Sequence, residues 1–274
     1  FAGPFRLTYR EPGGYPETVN LEGISAETYR ARKDELLGRF ELNWDLSFPR
    51  SDVALLTINT FAGSYEEEFK EFIRQSFLEI KEKKTENLII DLRNNGGGST
   101  ELSDFLYRHV SSKPFRTFAE VRVNYSNPVL KERKIFNPIT LARVKLFGQK
   151  EIIHKNSFHD PPKTKNRFEG RLFLITGPMT FSTAADFAAL IKDVEAGTIV
   201  GEETGGLASS YGDVFRDELP NSGLEFGVSF KYFLRPGGFD DGRGVKPDVK
   251  IETDPIDRAN GNDTLLRNLL EKII

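Results

Sequence analysis

Apolar residues recur along this chain in two periods, one suited to strands and one to helices, and the two alternate. Val53-Ala-Leu-Leu-Thr-Ile58 is a short, mostly apolar run of strand length. After it, Tyr65, Phe69, Phe72, Ile73, Phe77 and Ile80 fall on one face at helical spacing. Leu88-Ile-Ile-Asp-Leu92 reads as a buried strand that runs into Arg93-Asn-Asn-Gly-Gly-Gly98, and a helix over about 100–110 follows. The rhythm returns later with a strand at 171–176, a turn at Gly177-Pro178, a helix from Ser182 to Glu195 and a strand at 198–200. Strand, helix, strand, glycine loop, helix predicts an α/β core with parallel pairing, because parallel strands need a crossover long enough to hold a helix.

The flanks read differently. Phe5-Arg-Leu-Thr-Tyr-Arg10 alternates like a strand, Pro12-Gly13-Gly14 signals a turn, and Thr18-Val-Asn-Leu21 can return beside it. A lone hairpin is marginal in water, so residues 1–24 are expected to end a β module begun upstream. Ser25 is the expected N-cap of a helix over 26–37. Residues 25–274 are then expected to form one core. Within it, 111–167 is polar, Pro-dotted and weakly periodic, with one helical stretch near 139–147, and reads as an insertion or lid. A β-rich portion follows, with strands near 224–234 and 249–251, and Asp263 caps a last helix through Ile273.

Composition adds mainly exclusions. A net charge of -3 without a basic stripe argues against a nucleic-acid partner. The 23 phenylalanines, against one Trp and one Met, imply either a Phe-rich core or an apolar cleft. Zero cysteine removes disulfides, thiolate metal sites and a cysteine nucleophile. It also suits an oxidising compartment, so a periplasmic or secreted location is expected. No apolar run approaches the ~18–20 residues that span a bilayer, and no His-x-x-x-His spacing suggests a metal site.

Four segments could carry chemistry. Asp91-Leu-Arg-Asn-Asn-Gly-Gly-Gly98 follows a buried strand, and its glycines can expose backbone amides to a phosphate or an oxyanion, or simply make a tight turn. It is neither a Walker sequence nor GxGxxG. Thr180-Phe-Ser-Thr-Ala-Ala-Asp186 places Ser182 where a loop hands over to an Ala-rich helix. Unpaired amides there favour a developing negative charge, although serine at such a position is more often an N-cap. Gly201-Glu-Glu-Thr-Gly-Gly206 and Gly244-Val-Lys-Pro-Asp248 each read alone as turns.

In this order the four segments resemble those of the tail-specific, C-terminal-processing and tricorn-core serine peptidases, over about Asp52 to Ile251. The resemblance implies a crotonase-like β-β-α spiral with a smaller β portion, preceded by the last strands of a PDZ-like module. It implies Ser182 as nucleophile, an oxyanion hole from the Gly97 and Thr183 amides, a peptide or protein substrate and no cofactor. The bacterial processing branch has a lysine base one residue beyond Gly-Glu-x-Thr-x-Gly. Here that position is Leu207, which cannot accept a proton. The tricorn-like branch instead uses a histidine helped by an acid, and Asp241 stands at the acid's place. Its histidine comes well upstream of the glycine loop, where this chain has none, so the base is expected in a segment before Phe1 and the fragment is expected to be inactive alone. Within the chain His109 reads as a helix C-cap, while His154 and His159 fall in the insertion, with His159 the candidate base if a lid folds over the cleft. The competing reading is a catalytically silent module that binds a peptide or a hydrophobic ligand.

Overall fold

The computed structural model of the 274-residue chain describes every residue except 1–3, 12, 38–42, 135–136, 149, 255, 258–259 and 273–274. Contacts group it into two units, Phe1–Asn43 with Ile251–Ile274, and Trp44–Lys250.

The first unit opens with the expected hairpin. Strands β1 (Phe5–Tyr9) and β2 (Glu17–Leu21) pair antiparallel from Phe5↔Leu21 to Tyr9↔Glu17. Pro12 of the turn signal lies outside the described residues; Gly13 takes a positive φ of 78°, which glycine allows without strain. Helix α1 (Ala26–Leu37) begins as anticipated, with Ser25 Oγ accepting the Thr28 amide at 3.0 Å.

The larger unit is built in chain order from β3 (Trp44–Arg50), β4 (Val53–Ile58), α2 (Glu66–Glu82), β5 (Asn87–Asp91), α3 (Thr100–Val110), β6 (Glu120–Asn124), α4 (Asn127–Glu132), α5 (Pro138–Lys145), β7 (Glu151–Lys155), β8 (Arg171–Thr176), α6 (Thr183–Asp193), β9 (Thr198–Gly201), β10 (Ser210–Glu218), β11 (Glu225–Leu234) and β12 (Val249–Lys250). Six strands form one sheet in the order β12-β9-β8-β5-β4-β3. All its pairs are parallel except β3–β4. The parallel connections β4-α2-β5 and β8-α6-β9 are the βαβ units that the sequence rhythm predicts.

Alternation along the strands separates two faces. Ala54, Leu56 and Ile58 of β4, Leu88 and Ile90 of β5, Leu172 and Leu174 of β8 and Ile199 of β9 share one core with Phe69, Ile73 and Phe77 of α2, Leu102 and Leu106 of α3, and Phe187 of α6. Phe61, Phe69, Phe77, Phe115 and Phe187 are fully buried, so much of the phenylalanine content is core material.

The 111–167 segment departs from expectation. Besides helices it supplies β6 and β7, half of a second, antiparallel sheet ordered β10-β11-β6-β7. The reason it reads as irregular is physical. Each strand is five residues long with a single buried residue, and β6 finds its partner through Val123↔Lys231, far along the chain. A last helix, α7 (Thr264–Lys272), belongs to the first unit, and Asp263 Oδ1 accepts the Leu266 amide at 2.9 Å as its expected cap. Ile273, the predicted end, lies outside the described residues. No helix among the described residues is long and apolar enough to cross a membrane.

Candidate active site

Strands β5 and β8 are parallel neighbours, so the loops leaving their C-terminal ends start at the same sheet edge, the usual ligand side of such sheets. Buried side chains tie these loops together. Thr180 Oγ1 donates to Leu92 O at 2.8 Å and accepts from the Gly177 amide at 3.0 Å. Asn95 Nδ2 donates to Ile58 O at 3.0 Å, while Asn95 O accepts from the Phe181 amide at 3.0 Å. Thr183 Oγ1 donates to Gly98 O at 2.8 Å. Replacing Thr180 by Val would keep the volume but orphan the Gly177 amide. We expect a loss of about 2 kcal/mol in urea unfolding, with no change in helix content.

Ser182 sits at the N-cap position of α6 with φ 51° and ψ −130°, and its side chain makes no capping bond. A non-glycine residue held there is strained, and the placement matches a nucleophile turn between strand and helix. Among the described residues the hydroxyl has no hydrogen-bond partner, so the common capping role does not account for it.

Two glycines let neighbouring loops close on this serine. A Cβ on Gly97, whose φ is 102°, would lie 2.7 Å from Ser182 Cβ and 3.0 Å from the Thr183 nitrogen. A Cβ on Gly206 would lie 2.9 Å from the Ser182 nitrogen. The Thr183 amide opens the first turn of α6 and has no acceptor among the described residues. The Gly97 amide, the other expected oxyanion donor, already donates to Asn95 Oδ1 at 2.8 Å.

The remaining two segments lock onto this frame. Gly206 N donates to Thr180 O at 2.9 Å, and Thr204 Oγ1 donates to Gly206 O at 2.7 Å while accepting from the Val245 amide at 2.8 Å. Leu207 forms a backbone bridge with Gly244 and is exposed, next in sequence to the Gly206 that packs on the serine loop. Arg243 pairs with Glu203 at 2.7 Å, and this hydrogen-bonded guanidinium holds the carboxyl below its ordinary range.

Asp241 lies just before that bridge, exposed, with Oδ1 accepting the Arg243 amide at 3.2 Å and no bond to Ser182. Its neighbour Asp240 accepts the Tyr232 hydroxyl at 2.5 Å, and this bond lowers the Asp240 pKa. Burial, with the Asp240 bond second, pushes Tyr232 up to about 12. The preceding turn is pinned to the end of α6, where Arg235 grips Asp193 through Nε at 3.0 Å and Nη2 at 2.6 Å, and the Gly237 amide joins at 2.7 Å.

None of the three histidines reaches Ser182 by a hydrogen bond or ring contact. His109 is buried against Phe77 and Phe105, with Nδ1 2.9 Å from Phe105 O, and burial lowers its pKa. His154 lies exposed on β7, paired with Val121. The His159 backbone bridges to Phe115, and its ring centroid is 4.4 Å from that of Phe115. Among the described residues no group of three or more His, Asp or Glu could hold a metal ion.

Sequence reasoning missed Asn95, Thr180 and Gly206 as the pieces that shape the site, although all three stand inside the quoted motifs. It also missed Asp186. Four residues past Ser182, this carboxyl is buried without a hydrogen-bond partner among the described residues, and desolvation pushes it up to about 8.

A family model described as Peptidase family S41 matches residues 52–251. The chain is 24% identical over 206 residues to the tail-specific protease of Haemophilus influenzae, a match that covers 73% of this chain but only 25% of that protein. It is similar to the structure of mature CPAF complexed with lactacystin, with a TM-score of 0.62 and 18% identity over 93% of this chain and 64% of the other. It is also similar to the photosystem II D1 C-terminal processing protease, with a TM-score of 0.51 and 15% identity over 91% of this chain and 56% of the other. The mixed α/β fold is therefore shared with these two structures, and the motifs around Ser182 all fall within the residues that the family model matches. The chain belongs to peptidase family S41.

Proposed function

We propose that this chain carries most of a serine peptidase catalytic domain, with Ser182 as the nucleophile. The observation that carries the reading is the Ser182 hydroxyl itself, held at a strained φ of 51° at the start of α6 and unused as a cap. Ser182 Oγ would bond to the peptide carbonyl carbon while a base takes its proton. That proton would pass to the departing amine as the C–N bond breaks, and water would then release the acyl group. The free Thr183 amide would receive the oxyanion, joined by the Gly97 amide sharing its proton between the oxyanion and Asn95 Oδ1.

The base in this proposal is a histidine from elsewhere in the full protein. Among the described residues neither His109, His154 nor His159 hydrogen-bonds Ser182, and Leu207 accepts no proton. Asp241, held by the Arg243 amide next to the Leu207–Gly244 bridge, is the acid that would orient that base. A crotonase-like description of the core is supported by the parallel sheet with α2, α3 and α6 on one face. A PDZ-like origin for the N-terminal segment is supported by the β1–β2 hairpin. An extracytoplasmic site of action belongs to the same proposal.

Covalent labelling tests it. A fluorophosphonate probe should label the full-length protein stoichiometrically at Ser182, located by peptide mass spectrometry, and should not label Ser182→Ala. Equal labelling of both proteins would remove Ser182 as the nucleophile. One observation favours a second reading, a silent binding module: among the described residues no side-chain base hydrogen-bonds the Ser182 hydroxyl. A full-length protein that stays unlabelled while its fold is intact would support that reading instead.

A further inference from the structure

The segment from α4 to β7 carries a basic surface with exposed apolar side chains. Residues 127–155 hold Lys131, Arg133, Lys134, Arg143, Lys145, Lys150 and Lys155 against Glu132 and Glu151, a surplus of five positive charges in a chain whose net charge is -3. Lys131, Arg143, Lys145 and Lys150 form no ion pair with the described residues. An open groove of about 780 Å³ runs between α4 and α5. Leu130, Leu141 and Val144 supply its apolar lining, and Lys131, Lys145 and Lys150 its cations.

Beside the groove stands an apolar tip. Leu146 and Phe147 are each 78% exposed, and Ile139, at the other end of α5, is 69% exposed. This exposure is not fraying. Both tip amides reach Ala142 O, at 2.9 Å from Leu146 and 3.3 Å from Phe147, and Gly148 at φ 65° then turns the chain away.

We propose that α4, α5 and the Leu146–Phe147 tip dock this protein on an anionic lipid bilayer. The lysines fit the phosphates of the headgroup layer, the groove takes the upper part of an acyl chain, and the tip enters the boundary between headgroups and hydrocarbon. Charge complementarity selects an anionic occupant. The shape selects lipid over an acidic protein, because a projecting pair of bulky apolar side chains needs an apolar medium that deforms around it. A protein partner would have to supply a matching pocket. The inference is independent of the chemistry at Ser182.

Co-sedimentation of the 274-residue chain with vesicles decides the matter. We expect binding to mixed phosphatidylglycerol–phosphatidylcholine vesicles and little to pure phosphatidylcholine, with affinity falling as salt rises. Substituting Lys131→Glu, Lys145→Glu and Lys150→Glu together should weaken binding more than about tenfold. Leu146→Ser with Phe147→Ser should weaken it at least about fivefold at unchanged charge. These side chains are exposed, so melting curves of the variants should overlay the parent's. Three results overturn the proposal. One is no preference for anionic vesicles, and another is the charge-reversal variant binding like the parent. The third is a tip variant that binds like the parent while soluble polyglutamate competes fully, which would mark an acidic protein surface instead.

Discussion

Gly97→Ala is expected to lower stability by about 4 kcal/mol and peptidase activity of the full protein by about 10³-fold. The added methyl group meets Ser182 Cβ at 2.7 Å and Phe181 O at 2.8 Å, and none of these atoms is the loose end of a side chain. Backbone must move, and the backbone in question sets the serine. A φ of 102° adds strain of its own for alanine. Displacing the nucleophile by even about 1 Å costs on the order of 10²-fold, and disturbing an amide donor costs a similar factor. Gly96→Ala is the control, since a Cβ there meets nothing within 4 Å. Urea unfolding and probe-labelling rates should separate the two variants clearly. If they behave alike, the close approach of the glycine loop to Ser182 is not what holds the site.

The second large effect concerns Asp186 and depends on pH. Its carboxyl has an ordinary value of 3.8 and is raised by burial to about 8 in the folded chain. Between those values the folded protein holds a proton that the unfolded chain has lost, so stability falls as pH rises through the window. At pH 7 the loss relative to acid conditions is on the order of 4 kcal/mol. Asp186→Asn removes the ionisation while keeping the shape. The variant should be more stable than the parent at pH 8, and the difference should shrink steadily toward pH 4. The check is ΔG of unfolding for both proteins across that range. A difference that does not vary with pH would mean Asp186 is charged in the folded chain.

Much of the main sheet was legible because its strands and helices bury one clear face each. The helix at 100–110 and the strands at 53–58 and 171–176 stand where periodicity puts them. β6, β7 and β10 did not show, for a shared reason. Almost none of their residues are buried, and what makes them strands is pairing in a sheet whose members are scattered along the chain. At the site, residue types pointed to Ser182 and to the three glycine-bearing segments. They could not reveal that Asn95 would capture the Gly97 amide, or that the Ser182 hydroxyl would be left unspent. Both facts depend on φ, ψ and distances of tenths of an ångström. The burial of Asp186 was equally hidden, since an acid in the first turn of a helix usually faces water beside the positive end of the dipole.

The bonds that shape Ser182 also fix when in folding its strained turn is assembled. Thr180 meets the Leu92 carbonyl across 88 residues, and the Val245 amide meets Thr204 across 41. Such contacts come after local helices, because the loops they close must first be paid for in entropy. A nascent or partly unfolded chain therefore has the serine without the bend, the glycine wall or the amide that would make it reactive. With Ser182 as the proposed nucleophile, its reactivity would be tied to the completion of the sheet, and an unfinished chain would present only an ordinary serine to neighbouring polypeptides.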